Sequence, residues 1–114
     1  MYDTNNIFAK IIKGEITSSK VYEDEYIIAI NDINPVAPIH ILVIPKGEYR
    51  NFNEFSQKAR PEELVHYFRK IADIAESQGA KEYRVVSNNG SSSGQTIFHF
   101  HTHIIAGATF SKLI

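Results

Sequence analysis

Three histidines alternate within the stretch His99-Phe-His101-Thr-His103-Ile-Ile105. Successive side chains of a β-strand project to opposite faces, so His99, His101 and His103 are predicted to share one surface. Phe98, Phe100 and Ile104, on the other parity, are predicted to grip a core. The run is internal and alternating, unlike a purification tag. A purely structural role would need a partner or solvent for every ring, because an unpaired buried polar group costs about 1 to 3 kcal/mol. Imidazole is a common zinc ligand, but a strand rising about 3.3 Å per residue sets His99 and His103 about 13 Å apart, and zinc holds each ligand nitrogen within about 2.1 Å. Two neighbours could converge on an ion, with His40 from another strand as a third ligand; no HExxH pattern or nearby carboxylate accompanies them. A row of imidazoles suits a phosphate chain better. An imidazole with one free nitrogen can attack phosphorus and form a P–N bond that water later cleaves, while its neighbours donate hydrogen bonds to the developing charge. An ordinary pKa near 6.5 lets histidine act as nucleophile, donor or acid at neutral pH.

The elements that must position these rings are legible around them. Asn5 or Asn6 caps a short helix over Ile7 to Lys13, with Ile7, Phe8, Ile11 and Ile12 as its apolar stripe and Gly14 as its end. Val21 to Glu23 and Tyr26 to Asn31 suggest a hairpin around an acidic turn. Asn34-Pro35 and Ala37-Pro38 interrupt regular structure before His40 to Pro45, an apolar run typical of a strand covered on both faces. Pro61 starts the one long helix, Glu62 and Glu63 suit its positive end, and Leu64, Val65, Phe68, Ile71, Ala72 and Ala75 recur at helical spacing up to Gly79. Tyr83 to Val86 reads as a strand, Ser87 to Gln95 as a polar glycine-containing loop, and Thr96 to Ile105 as the histidine strand. The expectation is an α+β fold: a five-stranded antiparallel sheet with one short N-terminal helix and one long helix.

A chain of 114 residues with 43% hydrophobic content suits a single domain over 1–114. Twelve basic residues against thirteen acidic ones give a net charge of -1, with no basic block for nucleic acid. The absence of cysteine excludes disulfides, thiol catalysis and cysteine-ligated zinc. MYDTNNIFAK has no apolar signal region, and no stretch approaches the roughly 20 apolar residues of a membrane span. A cytoplasmic protein without membrane contact is expected.

The segment from His99 to Ile105 closely resembles the motif of the histidine triad (HIT) family, His-φ-His-φ-His-φ-φ with φ apolar; Thr102 stands where the motif has φ. Asn6-Ile-Phe-Ala-Lys-Ile-Ile12, Ala29-Ile-Asn-Asp-Ile-Asn-Pro35, Ala37-Pro-Ile-His-Ile-Leu-Val-Ile-Pro-Lys46 and the loop Asn88 to Gln95 resemble its nucleotide-binding branch. His103, where the uridylyltransferase branch has glutamine, and the short chain set it apart from other branches. The resemblance implies a HIT-like fold and a hydrolase or transferase that cleaves purine nucleoside 5'-phosphoramidates or acyl-nucleotides. His101 is then the nucleophile that forms a nucleotidyl-histidine, its second nitrogen held by a backbone carbonyl. His99 and His103 flank it, and His40 supports the triad from across the sheet. Asp32 binds the ribose hydroxyls, and Ile7, Phe8, Ile11, Ile30 and Ile33 surround the base. Asn88, Gly94 and Thr96 contact the phosphate or leaving group, although Thr96 has the parity of Phe98, so its role requires an irregular loop–strand junction.

The resemblance further implies AMP or GMP derivatives as substrates, no cofactor or metal, and a homodimer whose two sheets join. Dinucleoside polyphosphate hydrolysis and non-catalytic purine nucleotide binding are the alternatives. Many relatives carry a tail with tryptophan and proline near the partner's site, whereas this chain ends Ala-Gly-Ala-Thr-Phe-Ser-Lys-Leu-Ile and has no tryptophan. His66 is expected at a surface or boundary. Arg84 and Lys46 are expected to be solvated charges outside the site.

Overall fold

The structure is a computed structural model that describes residues 1–110; the last four of the tail, Ser111 to Ile114, lie outside the described residues. In chain order it contains α1 (Ile7–Ile12), β1 (Lys20–Glu23), β2 (Ile27–Asn31), β3 (Ile39–Pro45), α2 (Phe52–Lys58), α3 (Pro61–Ser77), β4 (Tyr83–Val86), a 3-10 turn (Ser91–Ser93) and β5 (Thr102–Ala106). The five strands form one sheet in the order β1-β2-β3-β5-β4, with every pairing antiparallel. The expected α+β architecture is therefore present.

Local chemistry explains the helix boundaries. Asn6 Oδ1 accepts from the Ala9 amide at 2.9 Å and caps α1, and Gly14, with φ +79°, follows where the chain turns away. Pro61 opens α3 with Glu62 and Glu63 in its first turn. α2 is an addition to the two helices expected. Its cap, Asn51, accepts from the Glu54 amide at 2.9 Å, and Glu54 reaches back to the Arg50 amide at 2.9 Å, close to a capping box.

The sheet separates two apolar clusters. On one face Ile27, Ala29, Ile41, Val43 and Ile104 pack with Phe55 of α2, Tyr67, Ile71 and Ile74 of α3, and Phe100. On the other, Phe8 and Ile11 of α1 cover Ile28, Ile30, Leu42 and Ile44. β3 is thus buried on both faces, as its unbroken apolar run predicts. The α3 stripe needs correction. Tyr67, Ile71, Ile74 and Ala75 form its buried side, whereas Val65 and Phe68 are exposed and Ala72 faces outward.

The histidine strand also needs correction. It begins at Thr102, and residues 96–101 are irregular. Continuing the β3–β5 register from Val43 opposite Thr102 would set Pro45 opposite Phe100, and proline has no amide hydrogen for the ladder. The Phe100 amide instead donates to the Tyr49 carbonyl at 2.7 Å. Strict alternation holds only from Phe100 onward, so Phe98 is 41% exposed and outside the core, whereas His99 is fully buried.

Candidate active site

The cover provided by α1 leaves a cavity of about 440 Å³ beside it. All the residues expected around a nucleotide line it: Ile7, Phe8, Ile11, Ile30, Asp32, Ile33, Asn88, Gly94, Thr96, His101 and His103. Ile33 sits at the rim, 86% exposed. The irregular segment before β5 is what lets Thr96 share this wall with His101 despite its parity. Leu42, Ile97, Asn31, Asn34 and residues 16–19 also line the cavity. Leu42 was available to sequence reasoning, since it shares the parity of His40 on β3; residues 16–19 carry no periodic signal.

His40 and His103 meet across the sheet. His103 stands opposite Leu42, on the same face as His40, and His40 Nε2 lies 2.8 Å from His103 Nδ1. The hydrogen-bond network assigns the protons. The Val36 amide donates to His40 Nδ1 at 3.1 Å, so the His40 proton resides on Nε2. That proton is donated to His103 Nδ1, with Asp32 Oδ2 3.2 Å away. His103 in its neutral form then carries its own proton on Nε2. The other Asp32 oxygen accepts from the Asn34 amide at 2.8 Å.

His101 is fixed differently. Its Nδ1–H donates to the His99 main-chain carbonyl at 2.8 Å, leaving Nε2 as an unprotonated lone pair. The Phe8 ring meets His101 edge-on at 4.9 Å between centroids. His101 is held below its ordinary pKa by burial, against smaller opposing effects of the His99 carbonyl and Asp32. Burial, reinforced by the charges of His101 and His40, brings His103 down to about 4. The row is therefore neutral at pH 7.

His99 and His40 stand behind the cavity wall. His99 Nε2–H donates to the Pro45 carbonyl at 2.6 Å, and its Nδ1 accepts from the Tyr2 hydroxyl. Burial drives its pKa down to about 4. Tyr2 had no signal in the sequence.

Two further side chains hold the irregular segment in place. Gln95, 3% exposed, accepts from the Gly90 amide at 2.9 Å and donates to the carbonyls of Arg50 at 2.7 Å and Ile97 at 3.0 Å. Gly94 holds φ +98°, a conformation that favours glycine. Thr102, the departure from the apolar motif position, faces away from the cavity. Its hydroxyl lies 2.7 Å from Tyr67 Oη and 2.9 Å from Ser87 Oγ, so the buried oxygen is satisfied.

Asp32, His40 and His103 form a group among the described residues with donor atoms within 4.8 Å of one another, close enough to surround a metal ion. Their proton arrangement does not fit one. His40 Nε2 carries the hydrogen that serves both neighbours, and a metal would have to displace it and turn the Val36 amide away. His66 is remote from this wall, bonded to Asp24 at 2.7 Å, and Lys46 pairs with Glu23 at 2.8 Å. Both lie outside the cavity lining, as expected; His66 is a boundary residue, whereas Lys46 is a partly exposed charge with an ion-pair partner and not simply a solvated one.

The model of the HIT domain matches residues 13–110. The chain belongs to the HIT domain family. A HIT-like protein of Rickettsia prowazekii, itself uncharacterized, is 50% identical over 100% of this chain and 97% of its own length. A solved HIT family hydrolase from Clostridium thermocellum superposes with a TM-score of 0.88 at 41% identity, covering 96% of this chain and 97% of that one. A 14 kDa zinc-binding protein of Zea mays is 43% identical over 92% of this chain and 84% of its own length. In reaction class the HIT protein described above is thus hydrolase-like. Among its described residues, no helix is long and apolar enough to cross a membrane.

Proposed function

We propose that this HIT protein hydrolyses purine nucleoside 5'-phosphoramidates or related acyl-nucleotides through a covalent intermediate on His101. The observation that carries the reading is the His101 ring: Nδ1 spends its proton on the His99 carbonyl at 2.8 Å, so Nε2 is a free lone pair on the cavity wall. His101 Nε2 attacks the α-phosphorus, forming a P–N bond as the bond to the amine or acyl oxygen breaks. Neutral His103 donates a hydrogen bond from Nε2 to the phosphoryl oxygens, and a departing amine takes its proton from solvent. Water then attacks phosphorus and gives up a proton to solvent, the P–N bond breaks with its electron pair returning to His101 Nε2, and the nucleoside monophosphate leaves.

Asp32 supports the nucleoside end of this reading, since an acceptor-only carboxylate matches the two hydroxyls of a ribose. Ile7, Phe8, Ile11 and Ile30 offer an apolar slot for a purine. Asn88, Gly94 and Thr96 lie beside His101 and His103 on the same wall, where the phosphate and its leaving group would sit. Incubation with an adenosine phosphoramidate should release AMP and amine in equal amounts, unaffected by a chelator. AMP binding without turnover would favour the binding-module alternative, and turnover lost to a chelator would contradict the tautomer assignment of His40.

Homodimer formation along β4 belongs to the same proposal. β4 is an edge of the sheet. Val85 stands opposite Ile104, hence on the α3 face, and is 51% exposed like Val65 and Phe68 of α3. An apolar patch beside an edge strand is what a second sheet would cover.

A further inference from the structure

Behind the nucleophile lies a residue with no assigned role. We propose that Tyr2 is a positioning residue for nucleotidyl transfer, locking His99 so that its main-chain carbonyl holds the His101 ring in its attacking orientation. The inference rests on His101 being the nucleophile. Tyr2 does not line the cavity; it reaches His101 only through His99. Its hydroxyl donates to His99 Nδ1, and its ring meets the imidazole edge-on at 5.6 Å. Pro45 takes the opposite nitrogen, and Phe8 packs edge-on against the same ring at 6.4 Å. His99 is thereby fixed at both nitrogens, and the carbonyl of that residue is the atom that fixes the His101 tautomer.

The segment carrying Tyr2 is itself built. Asp3 accepts from the Asn5 amide at 2.9 Å through its side chain and from Asn6 Nδ2 at 2.8 Å through its carbonyl, and Asn6 caps α1. The Tyr2 ring is thus tied to the helix that covers the cavity. The charged groups facing the Tyr2–His99 pair are Asp3 on the same segment and Glu48 after β3, with His101 as the neighbouring titratable ring. The tyrosine hydroxyl stabilises only neutral His99, because a protonated Nδ1 has no lone pair to accept it. Without that hydroxyl, His99 takes up a proton more readily, and its charge would oppose the nucleophile beside it.

The test is Tyr2→Phe, which keeps the ring contact and removes the hydroxyl. Three quantities are read: the single-turnover rate of nucleotidyl-His101 formation, AMP affinity, and the pH dependence of that rate. The expected result is about a tenfold slower formation step, in the range that small misplacements of a nucleophile cost. AMP affinity should stay within about twofold, and the acid limb of the profile should move to higher pH. An NMR titration should show His99 titrating at higher pH than in the parent protein. An unchanged rate and acid limb, or a loss confined to AMP affinity, would overturn the role of Tyr2 while leaving His101 as nucleophile. No adduct on the parent protein would overturn the nucleophile reading itself.

Discussion

At the scale of single residues, the three triad histidines differ in what their second nitrogen does. His99 is occupied at both nitrogens, His103 receives a proton donor from His40, and His101 keeps one nitrogen free. This division has a thermodynamic signature. His99 titrates near 6.5 when unfolded and about 4 when folded, so the unfolded chain binds its proton first. Stability is full above pH 6.5 and falls as pH drops toward 4, by about 3 kcal/mol from this fully buried ring. Asp24 acts in a lower window. Burial raises its pKa, but bonds from Tyr22, the Tyr26 amide, His66 and the Ile27 amide outweigh that and hold it at about 2. Its contribution, present above its unfolded pKa of 3.8, is lost only below the histidine window. Urea denaturation between pH 7 and 4, with an NMR titration of His99, should show the histidine loss; constant stability over that range would contradict it. Tautomers of this kind are invisible in a sequence, because they depend on carbonyls and amides brought in from Pro45 and Val36.

At the scale of elements, the site depends on where β5 fails to be a strand. Gln95 holds that irregular stretch through three hydrogen bonds from a nearly fully buried side chain. Gln95→Leu would fill the same space but leave the Gly90 amide and the Arg50 and Ile97 carbonyls unpaired. A loss of about 2 kcal/mol or more is expected, measurable as a lower urea midpoint; a loss under about 0.5 kcal/mol would show that these groups re-pair elsewhere. The regular elements were legible because periodicity and capping are local. β4 matches its expected span of Tyr83 to Val86, and α3 starts at Pro61 as expected. The bend at residues 97–99 was not, because its cause is the register of β3, which sets a proline opposite Phe100. α2 had a local signal in Asn51 and Glu54 but no apolar stripe long enough to stand out.

At the scale of the whole molecule, one sheet divides two jobs. The face under α2 and α3 carries the larger core, and the face under α1 carries a smaller core and the cavity. The cavity residues come from separated stretches of the chain, residues 7–19, 30–34, Leu42 and 88–103, which is why the expectation for them rested on resemblance rather than on spacing. The exposed Val65 and Phe68 explain why the α3 stripe looked wider in sequence than the core it packs into, and Val85 of β4 is exposed as well. If this patch is a dimer surface, sedimentation should give twice the chain mass, and Val85→Lys should shift the population toward monomer. A parent protein that sediments as a monomer would contradict the joined-sheet reading. The division of the sheet also places His101 where its free nitrogen meets whatever occupies the cavity. The most direct measurement is mass spectrometry under acid-avoiding quench during turnover of an adenosine phosphoramidate. An added mass of one nucleoside monophosphate, located on His101 and absent from His101→Ala, is the expected result. Full turnover with no adduct at any time would contradict covalent catalysis by His101.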